Sequence, residues 1–324
     1  MPAPVEVVVL AGGTGGAKLA RGMREVVAPE RLAVIANPGD DIEIYGAHVS
    51  PDPDLISFWL ADLIDARGWG LEGDTFNVMD GLRALGVEVW FNLGDRDLAW
   101  CVERARLLAA GATPTAALAR LNAAIGVRTA VLPASDDPVR TWVRTTSGWR
   151  SFQEFMIRMG AAGMIEGLEF RGAEQAAPST AALEAIAQAR AIVIGPSNPL
   201  ASIAPILAVP GIREALATAR APVVAVSPIV GGTVLKGPTA AFMAFAALEC
   251  SAAGVADFYG ELLDGLVADE PVAAERVPAV AAEPAHHEPL PALATLRIDT
   301  RMDDAAARAR VAEQVLAFAD GLAR

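Results

Sequence analysis

Short apolar runs alternate with helical patterns along most of the chain. The run 5–10 is apolar and β-branched and ends at a glycine-rich turn, which is typical of a strand buried on both faces of a parallel sheet. A helical pattern over 19–27 and a second apolar run over 32–36 complete a βαβ unit. The same signal predicts three further strands, at 87–91, 191–194 and 222–226.

Helical patterns separate these strands, over 55–65, 99–110, 114–124, 180–190 and 239–253. This alternation predicts an α/β fold with a doubly wound, mainly parallel, Rossmann-like sheet. Such sheets bind ligands in the crevice outside the carboxyl ends of their strands. The turns that follow the strands are therefore where chemistry is expected.

The pattern changes in the middle and near the end of the chain. Residues 136–173 combine short elements with several aromatic residues and glycines, and we interpret them as a central insertion or lid. Residues 270–291 are rich in Pro, Ala and Glu and are interpreted as an irregular arm, which a strand at 295–299 and a final helix at 303–322 follow. We predict a single domain over 1–324, with its core in 5–135 and 174–265 and a C-terminal arm and helix in 270–324.

Composition narrows the class of protein. The chain has 324 residues and is 53% apolar, so it can bury a large core. Its formal net charge of −13 argues against nucleic acid as a partner, because phosphate backbones would repel it. No basic leader precedes the first strand, and the most apolar helical pattern, near 240–256, is interrupted by Glu249, which favours a soluble protein over a membrane protein. Only two cysteines occur, which favours a reducing compartment, and we expect a cytoplasmic location.

The first strand-to-helix turn, 11–18, carries four glycines and a lysine. Glycines let backbone N–H groups approach a ligand, and the N-terminus of a helix favours phosphate. The turn is not a Walker A loop, because Ala17 precedes and Leu19 follows the lysine. A glycine-rich turn without a ligand is the alternative. From its position we predict nucleotide or phosphate binding by Gly12, Gly13, Thr14, Gly15, Gly16 and Lys18.

Two clusters of carboxylates follow the second strand. Asp40 and Asp41 come soon after it, and Asp52 and Asp54 lie in the sequence Ser-Pro-Asp-Pro-Asp. Hard oxygen ligands suit Mg²⁺, which usually takes one or two carboxylates together with substrate phosphates. Aspartates also cap helices and shape turns, and Asp54 is a candidate N-cap. The two clusters together favour a metal site.

Two later turns carry further polar groups. Arg96 lies between Asp95 and Asp97, an arrangement that suits either a structural ion-pair cluster or a clamp for a phosphate group. In the turn at 195–199, Gly195, Ser197 and Asn198 offer contacts to a base, ribose or phosphate, although a proline-rich turn with a helix cap has the same appearance.

A third glycine loop spans 227–238, and we expect it to close the same crevice.

Seven motifs occur in order between residue 7 and about residue 265, and together they resemble the 2-phospho-L-lactate transferase family, the CofD-like proteins of coenzyme F-420 biosynthesis. Each motif is weak alone, but seven in sequence are specific. They are Gly12-Gly13-Thr14-Gly15-Gly16-Ala17-Lys18, Gly39-Asp40-Asp41, Ser50-Pro51-Asp52-Pro53-Asp54, Gly94-Asp95-Arg96-Asp97, Leu132-Pro133-Ala134-Ser135-Asp136-Asp137-Pro138, Gly195-Pro196-Ser197-Asn198-Pro199 and Ser227-Pro228-Ile229-Val230-Gly231-Gly232.

The resemblance implies a transfer reaction. The donor is a guanosine diphosphate-linked small acid, which is lactyl, phosphoenolpyruvate-derived or glyceryl according to the member. The acceptor is the deazaflavin precursor Fo (7,8-didemethyl-8-hydroxy-5-deazariboflavin), whose ribitol hydroxyl attacks the distal phosphorus. GMP leaves, and coenzyme F-420-0 or its dehydro form results, with the assistance of Mg²⁺. The family also suggests a homodimer.

The resemblance also implies roles for particular residues. Asp54 matches a position that contacts the deazaflavin, and Asn92 stands where some members have a basic residue. We expect Asp40 and Asp54 to be catalytic and to coordinate Mg²⁺ with Asp41 in support. The acceptor site is expected at Asp54, Asn92, Asp95 and Arg96, and we expect Asp54→Asn to lower turnover strongly while leaving the fold intact.

Two other classes of protein compete with this interpretation. Gluconeogenesis-factor-like proteins share the glycine-rich opening and would bind a nucleotide sugar or dinucleotide without transforming it. A dinucleotide-dependent oxidoreductase is suggested by the fold alone, which is weak evidence. The aspartate motifs favour the transferase.

Overall fold

A seven-stranded parallel sheet forms the centre of the molecule. The computed structural model describes residues 4–272 and 293–322. Its strands, in chain order, are β1 (Val7–Ala11), β2 (Leu32–Ala36), β3 (Ile42–Ile44), β4 (Ala47–Val49), β5 (Ala130–Pro133), β6 (Arg140–Thr145), β7 (Gly148–Ser151), β8 (Gly167–Arg171), β9 (Ala191–Ile194), β10 (Val223–Val226), β11 (Ile229–Val230), β12 (Thr233–Val234), β13 (Gly265–Ala268) and β14 (Ala294–Arg297).

Helices cover both faces of this sheet. They are α1 (Gly13–Val26), α2 (Pro51–Leu60), α3 (Asn77–Ala84), α4 (Asp95–Ala109), α5 (Pro114–Ala124), α6 (Thr180–Gln188), α7 (Ala204–Leu207), α8 (Ile212–Ala217), α9 (Thr239–Phe245), α10 (Ala252–Tyr259) and α11 (Ala305–Gly321). Among the described residues, no helix is both long enough and apolar enough to span a bilayer.

The strand order explains where a ligand can bind. The sheet runs β14-β13-β10-β9-β1-β2-β5, and all of its pairings are parallel. From β1 the chain first builds outward through β2 and β5, and later builds in the other direction from β9. The order therefore reverses between β1 and β9, and such a switch point opens a crevice at the carboxyl ends.

The apolar runs form strands because both of their faces are covered. All five residues of β1 and of β2 are buried, and alternate residues enter two separate cores. Val8 and Leu10 pack with Phe155 and Tyr259 on one side, whereas Val9 packs with the α1 and α11 side on the other. The predicted doubly wound α/β fold is confirmed.

A small antiparallel sheet lies in the segment 136–173. Its strands β7-β6-β8 pair antiparallel, and Phe155, just after β7, is fully buried in the main core. The segment therefore packs firmly on the central sheet.

Two predicted elements are wrong. Residues 87–91 are not a strand: Val87 is 40% exposed, and the segment runs over the surface, where the Phe91 amide donates to the Tyr45 hydroxyl. The predicted helix 239–253 is two helices, α9 and α10. Ala247 takes a left-handed φ of 55° between them, and Ser251 caps α10.

The C-terminal elements complete the sheet and its cover. β14 pairs with β13, and α11 packs on α1, where a Cβ on Gly22 would lie 2.4 Å from the carbonyl oxygen of Arg308. The predicted final strand and helix are thus present. Most of the predicted arm, from 273 to 291, lies outside the described residues.

Candidate active site

The glycine-rich turn occupies the switch point. Gly13 begins α1 with φ of +64°, a conformation that favours glycine. The amide of Gly12 donates to Ser197 Oγ at 3.2 Å, and the amide of Gly13 donates to Asp52 Oδ1 at 2.7 Å. The next amides of α1 have no intrahelical acceptors, so Thr14 and Gly15 offer the N–H groups for an anion.

The later glycines of the turn permit close packing. A Cβ on Gly15 would lie 2.0 Å from the carbonyl oxygen of Pro196, and one on Gly16 would lie 2.6 Å from Ser197 Oγ. The turn after β9 therefore fits against the first turn of α1. Gly195 belongs to the same contact, because its amide donates to the carbonyl oxygen of Leu10.

Gly15→Ala should displace this contact and destabilise the protein by roughly 1–3 kcal/mol, the range for overpacking. The backbone of Pro196 cannot give way as a flexible side chain would. Chemical denaturation measures the loss. Gly81→Ala is the matched control, because nothing lies within 4 Å of its added Cβ. In a helix that change should be neutral or stabilising, and equal losses in both variants would contradict the packing argument.

Asn37 joins two buried aspartates at the end of β2. Its side-chain amide donates to Asp40 Oδ1 at 2.9 Å and to Asp52 Oδ2 at 2.8 Å, while its oxygen accepts from the Gly39 amide. Asp40 is 6% exposed and Asp52 is 4% exposed. The two carboxyls therefore lie on either side of one amide group, directly behind the glycine turn.

In the part of the chain that the structure describes, no basic side chain forms an ion pair with Asp40 or Asp52. Burial raises the pKa of Asp52 to about 6, against the hydrogen bonds from Asn37 and Gly13. Burial and the neighbouring Asp52 also raise the pKa of Asp40 well above its ordinary value. A bound divalent cation would offset this cost, so the pair fits the hard oxygen ligands of Mg²⁺.

Asp54 is held by a different set of groups. Its oxygens accept from both terminal nitrogens of Arg104, at 2.9 Å for the Nη1–Oδ2 pair, and from Trp100 Nε1 at 2.8 Å. Burial raises the pKa of Asp54 and Arg104 opposes that rise; the two-pronged geometry is that of an ionised pair. Asp54 lies inside α2, whose N-cap is Ser50.

A cavity of about 640 Å³ opens beside these carboxyls. Aromatic rings and carboxylates share its wall, and the segment after β7 contributes to it through Phe152, Gln153, Met156 and Ile157. The other lining side chains important here are Phe58, Trp69, Phe76, Phe91, Asp40, Asp52, Asp54 and Asp97. A mainly apolar cleft with a few convergent polar groups is a typical small-molecule site.

Among the carboxyls that line the cavity, Asp97 has the weakest hydrogen-bond donor beside it. Its side chain accepts from the Cys101 thiol, a weak donor, at 3.9 Å. Burial, together with Asp54 and Asp74, raises the pKa of Asp97 to about 7. Asp97 can therefore exchange a proton near neutral pH.

The predicted acceptor residues separate in the structure. Asp54 and Asn92 line the cavity. Asp95 instead accepts from Thr75, Asn77 and Val78 at the start of α3, and these hydrogen bonds lower its pKa to about 2. Arg96 is exposed and donates to the carbonyl oxygen of Glu72.

The predicted metal ligands do not converge on one point. In the described part of the chain, the groups of three or more ligand atoms within 4.8 Å of one another do not include Asp40, Asp41 and Asp54 together. Asp41 lies against His48 at 3.3 Å and Arg140 at 3.8 Å. A cluster of Asp54, Asp97 and Cys101 does exist, but the guanidinium of Arg104 already neutralises Asp54 there.

The remaining predicted residues flank the glycine turn. Asn198 caps the turn that follows it, accepting from the amides of Leu200 and Ala201. Lys18 is half-buried on α1. Asn37, Asp97 and Arg104 are not among the site residues predicted from the sequence, and Asp52 is predicted only as a member of the second carboxylate cluster, without a role of its own.

Comparison with known proteins identifies the family. Residues 7–305 match the model of the family described as 2-phospho-L-lactate transferase CofD. A 2-phospho-L-lactate transferase of Methanosarcina mazei is 39% identical over 265 residues, covering 82% of this chain and 87% of that protein. A phosphoenolpyruvate transferase of Kitasatospora aureofaciens is 40% identical over 328 residues, covering 98% of each.

A solved structure shares the fold. A Bacillus halodurans protein described as a member of the UPF0052 family aligns with a TM-score of 0.52 at 21% identity, covering 84% of this chain and 83% of that one. At this identity the likeness concerns the fold alone. Membership of a family rests on the family model and on the relatives in sequence. They confirm the family that the seven motifs resemble. The chain belongs to the 2-phospho-L-lactate transferase family, CofD.

Proposed function

We propose that this transferase moves a phosphoryl-linked three-carbon acid from a guanosine diphosphate-linked donor to the ribitol hydroxyl of Fo. The hydroxyl oxygen forms a bond to the distal phosphorus, the bond from that phosphorus to GMP breaks, and the hydroxyl proton passes to a carboxylate. The product is coenzyme F-420-0 or its dehydro form. Relatives named as phospholactate and as phosphoenolpyruvate transferases support this class of donor.

The observation that carries the proposal is the position of Asp52. Its carboxylate accepts a hydrogen bond from the amide of Gly13 in the glycine-rich turn and also lines the aromatic cavity. A donor diphosphate on the first turn of α1 and an acceptor ring in the cavity would therefore meet at this residue. Phosphoryl transfer depends mainly on such positioning and on charge neutralisation.

The cavity suits a flat heteroaromatic acceptor. Phe58, Phe91 and Trp69 present apolar surface, and aromatic rings stack in offset or edge-to-face arrangements. Asn92, neutral where some family members are basic, hydrogen-bonds to Arg83 at the rim. We place the deazaflavin ring against these groups, with its ribitol chain directed toward Asp52.

Asp40 and Asp52 are our choice for holding Mg²⁺. They replace the predicted set of Asp40, Asp41 and Asp54, because Asp54 is already paired with Arg104 and Asp41 faces His48 and Arg140. When bound, Mg²⁺ would neutralise charge on the phosphate oxygens. Asp97 is the residue we assign to hold the hydroxyl proton, since a group with a pKa near 7 suits that task.

The direct test is formation of the product. The protein is mixed with Fo, Mg²⁺ and each of the three GDP-linked acids in turn, and mass spectrometry detects GMP and the new phosphodiester. We expect one donor to be preferred and turnover to be lost when Mg²⁺ is chelated. Tight donor binding without GMP release from any of the three would instead support a non-catalytic nucleotide-binding protein.

A further inference from the structure

The chain uses lysine at only two positions. Of its 26 basic residues, two are lysines, Lys18 and Lys236, and the others are arginines. The two lysines lie 218 positions apart in sequence, on α1 and on the loop after β12. Their placement is informative, because an ammonium is a compact point charge and an arginine is a planar fork.

Lys236 reaches across to the glycine-rich turn. The position that a Cβ on Gly68 would occupy lies 3.6 Å from Lys236 Nζ and 3.6 Å from Thr14 Cγ2. The ammonium also donates to the carbonyl oxygen of Arg67 at 3.1 Å and lies 5.2 Å from the centre of the Trp69 ring. Lys236 is therefore positioned between the first turn of α1 and the rim of the cavity.

Lys18 lies in the field of this second lysine. Burial lowers the pKa of Lys18, Asp303 opposes the drop, and the charges of Lys236 and Arg308 lower the pKa further. Although the whole chain has a net charge of −13, these cations repel one another. An anion bound between them would offset that repulsion. An exposed lysine is ordinarily solvated, but Lys236 is held over the turn by a carbonyl oxygen and a ring.

We propose that Lys18 and Lys236 form a two-lysine clamp that closes on the diphosphate of the donor. The inference rests on the proposed function for the identity of the ligand, and it adds Lys236 as a contact from the loop at 231–238. Lys18 would bind from the helix side and Lys236 from the acceptor side. Lysine ammonium groups bind phosphate as point charges.

Lysine-selective labelling of the wild-type protein tests the clamp. Pyridoxal 5′-phosphate condenses with a lysine amine with loss of water, and borohydride reduces the imine to a stable secondary amine. Peptide mapping by mass spectrometry then quantifies the label on each lysine and separates any label on the α-amino group. At a GDP concentration about ten times its Kd, occupancy should reduce labelling of both lysines roughly tenfold.

The outcomes are distinct. Protection of both lysines supports the clamp. Protection of Lys18 alone overturns the role of Lys236 and leaves the proposed function standing, whereas protection of Lys236 alone overturns the pair. If neither is protected while GDP binds, the clamp is overturned, and the proposed function is then decided by the product assay alone.

A binding measurement gives independent evidence. Lys236→Met should raise the Kd for GDP roughly 10- to 100-fold, the loss of a charge-assisted hydrogen bond. The unfolding midpoint should move little, because Lys236 is exposed and its contacts with Arg67 and Trp69 lie at the surface. Arg213→Met removes the same charge from the exposed side of α8 and should leave the Kd unchanged. An equal rise in both variants would show a general effect of charge and overturn the proposal.

Discussion

Replacing Arg104 by methionine should lower the free energy of unfolding by about 3–5 kcal/mol, the usual loss when one partner of a buried ion pair is removed. The side chains of Arg104 and Asp54 are only 3% and 5% exposed. Methionine fills much of the space of the arginine stem but leaves the Asp54 carboxylate buried without a counter-charge. Arg104 also donates to the carbonyl oxygen of His48, which adds one unsatisfied acceptor. Urea denaturation followed by tryptophan fluorescence measures the loss.

Two further variants give this prediction its controls. Arg106→Met lies on the same helix, but its pair with Glu103 is exposed, with side-chain exposures of 59% and 37%, and its loss should cost at most about 1 kcal/mol. The double variant Asp54→Leu with Arg104→Met removes both charges and should recover most of the stability. A single Arg104→Met variant as stable as Arg106→Met would show that the pair does not hold α4 against α2.

This ion pair changes the result expected for Asp54→Asn. From the place of Asp54 in the second acidic cluster, the sequence predicts lower turnover in an intact fold. In the structure the Asp54 carboxylate neutralises the guanidinium of Arg104, a residue that is only 2% exposed. Asparagine at position 54 would leave this buried guanidinium without its counter-charge. We now expect a loss of stability as well. Turnover of this variant has to be compared below its own unfolding transition.

The sequence predicts five of the seven strands of the central sheet, because their signal is local, but it does not predict β5 or β13. The runs that became β1, β2 and β9 are continuously apolar, as strands covered on both faces require. Residues 87–91 carry a similar run, yet Val87 and Glu88 are exposed and Phe91 instead lines the cavity. Apolar side chains that form a ligand site look the same in sequence as those of a core strand. Only the tertiary structure separates them.

The sequence predicts which turns form the candidate site, but it does not predict which side chains pair with one another there. Turns after β1, β2 and β9 do meet: the Gly12 amide donates to Ser197, and Asp52 accepts from both the Gly13 amide and the side chain of Asn37, which follows β2. Which aspartate remains available depends on groups far away in sequence. Arg104 lies 50 positions from Asp54, and helical spacing alone cannot show that it takes up both oxygens. Asp52 could have been found from its motif, since it stands two residues before Asp54.

Replacing Asp97 by asparagine should stabilise the protein at pH 8 and flatten its pH dependence. The pKa of Asp97 is about 7 in the folded state against 3.8 ordinarily. Between these values the folded state binds more protons than the unfolded state, so stability falls as pH rises, by about 1.4 kcal/mol per pH unit from this group. The summed effect is on the order of 4 kcal/mol. It is fully present as a penalty above pH 7 and absent below pH 4.

Urea denaturation at several pH values between 4 and 8 measures this slope for the wild type and the variant. Asp52 and Asp40 titrate with the same sign, so the difference between the two proteins, and not the slope of either, isolates Asp97. Asp80→Asn, at an exposed aspartate on α3, controls for the removal of one negative charge. If Asp97 holds the hydroxyl proton, the stabilised variant should also turn over about 100-fold more slowly, the lower range for loss of a general base. A variant that is more stable and equally active would show that Asp97 does not take part in the reaction, although its buried charge does destabilise the wild-type protein.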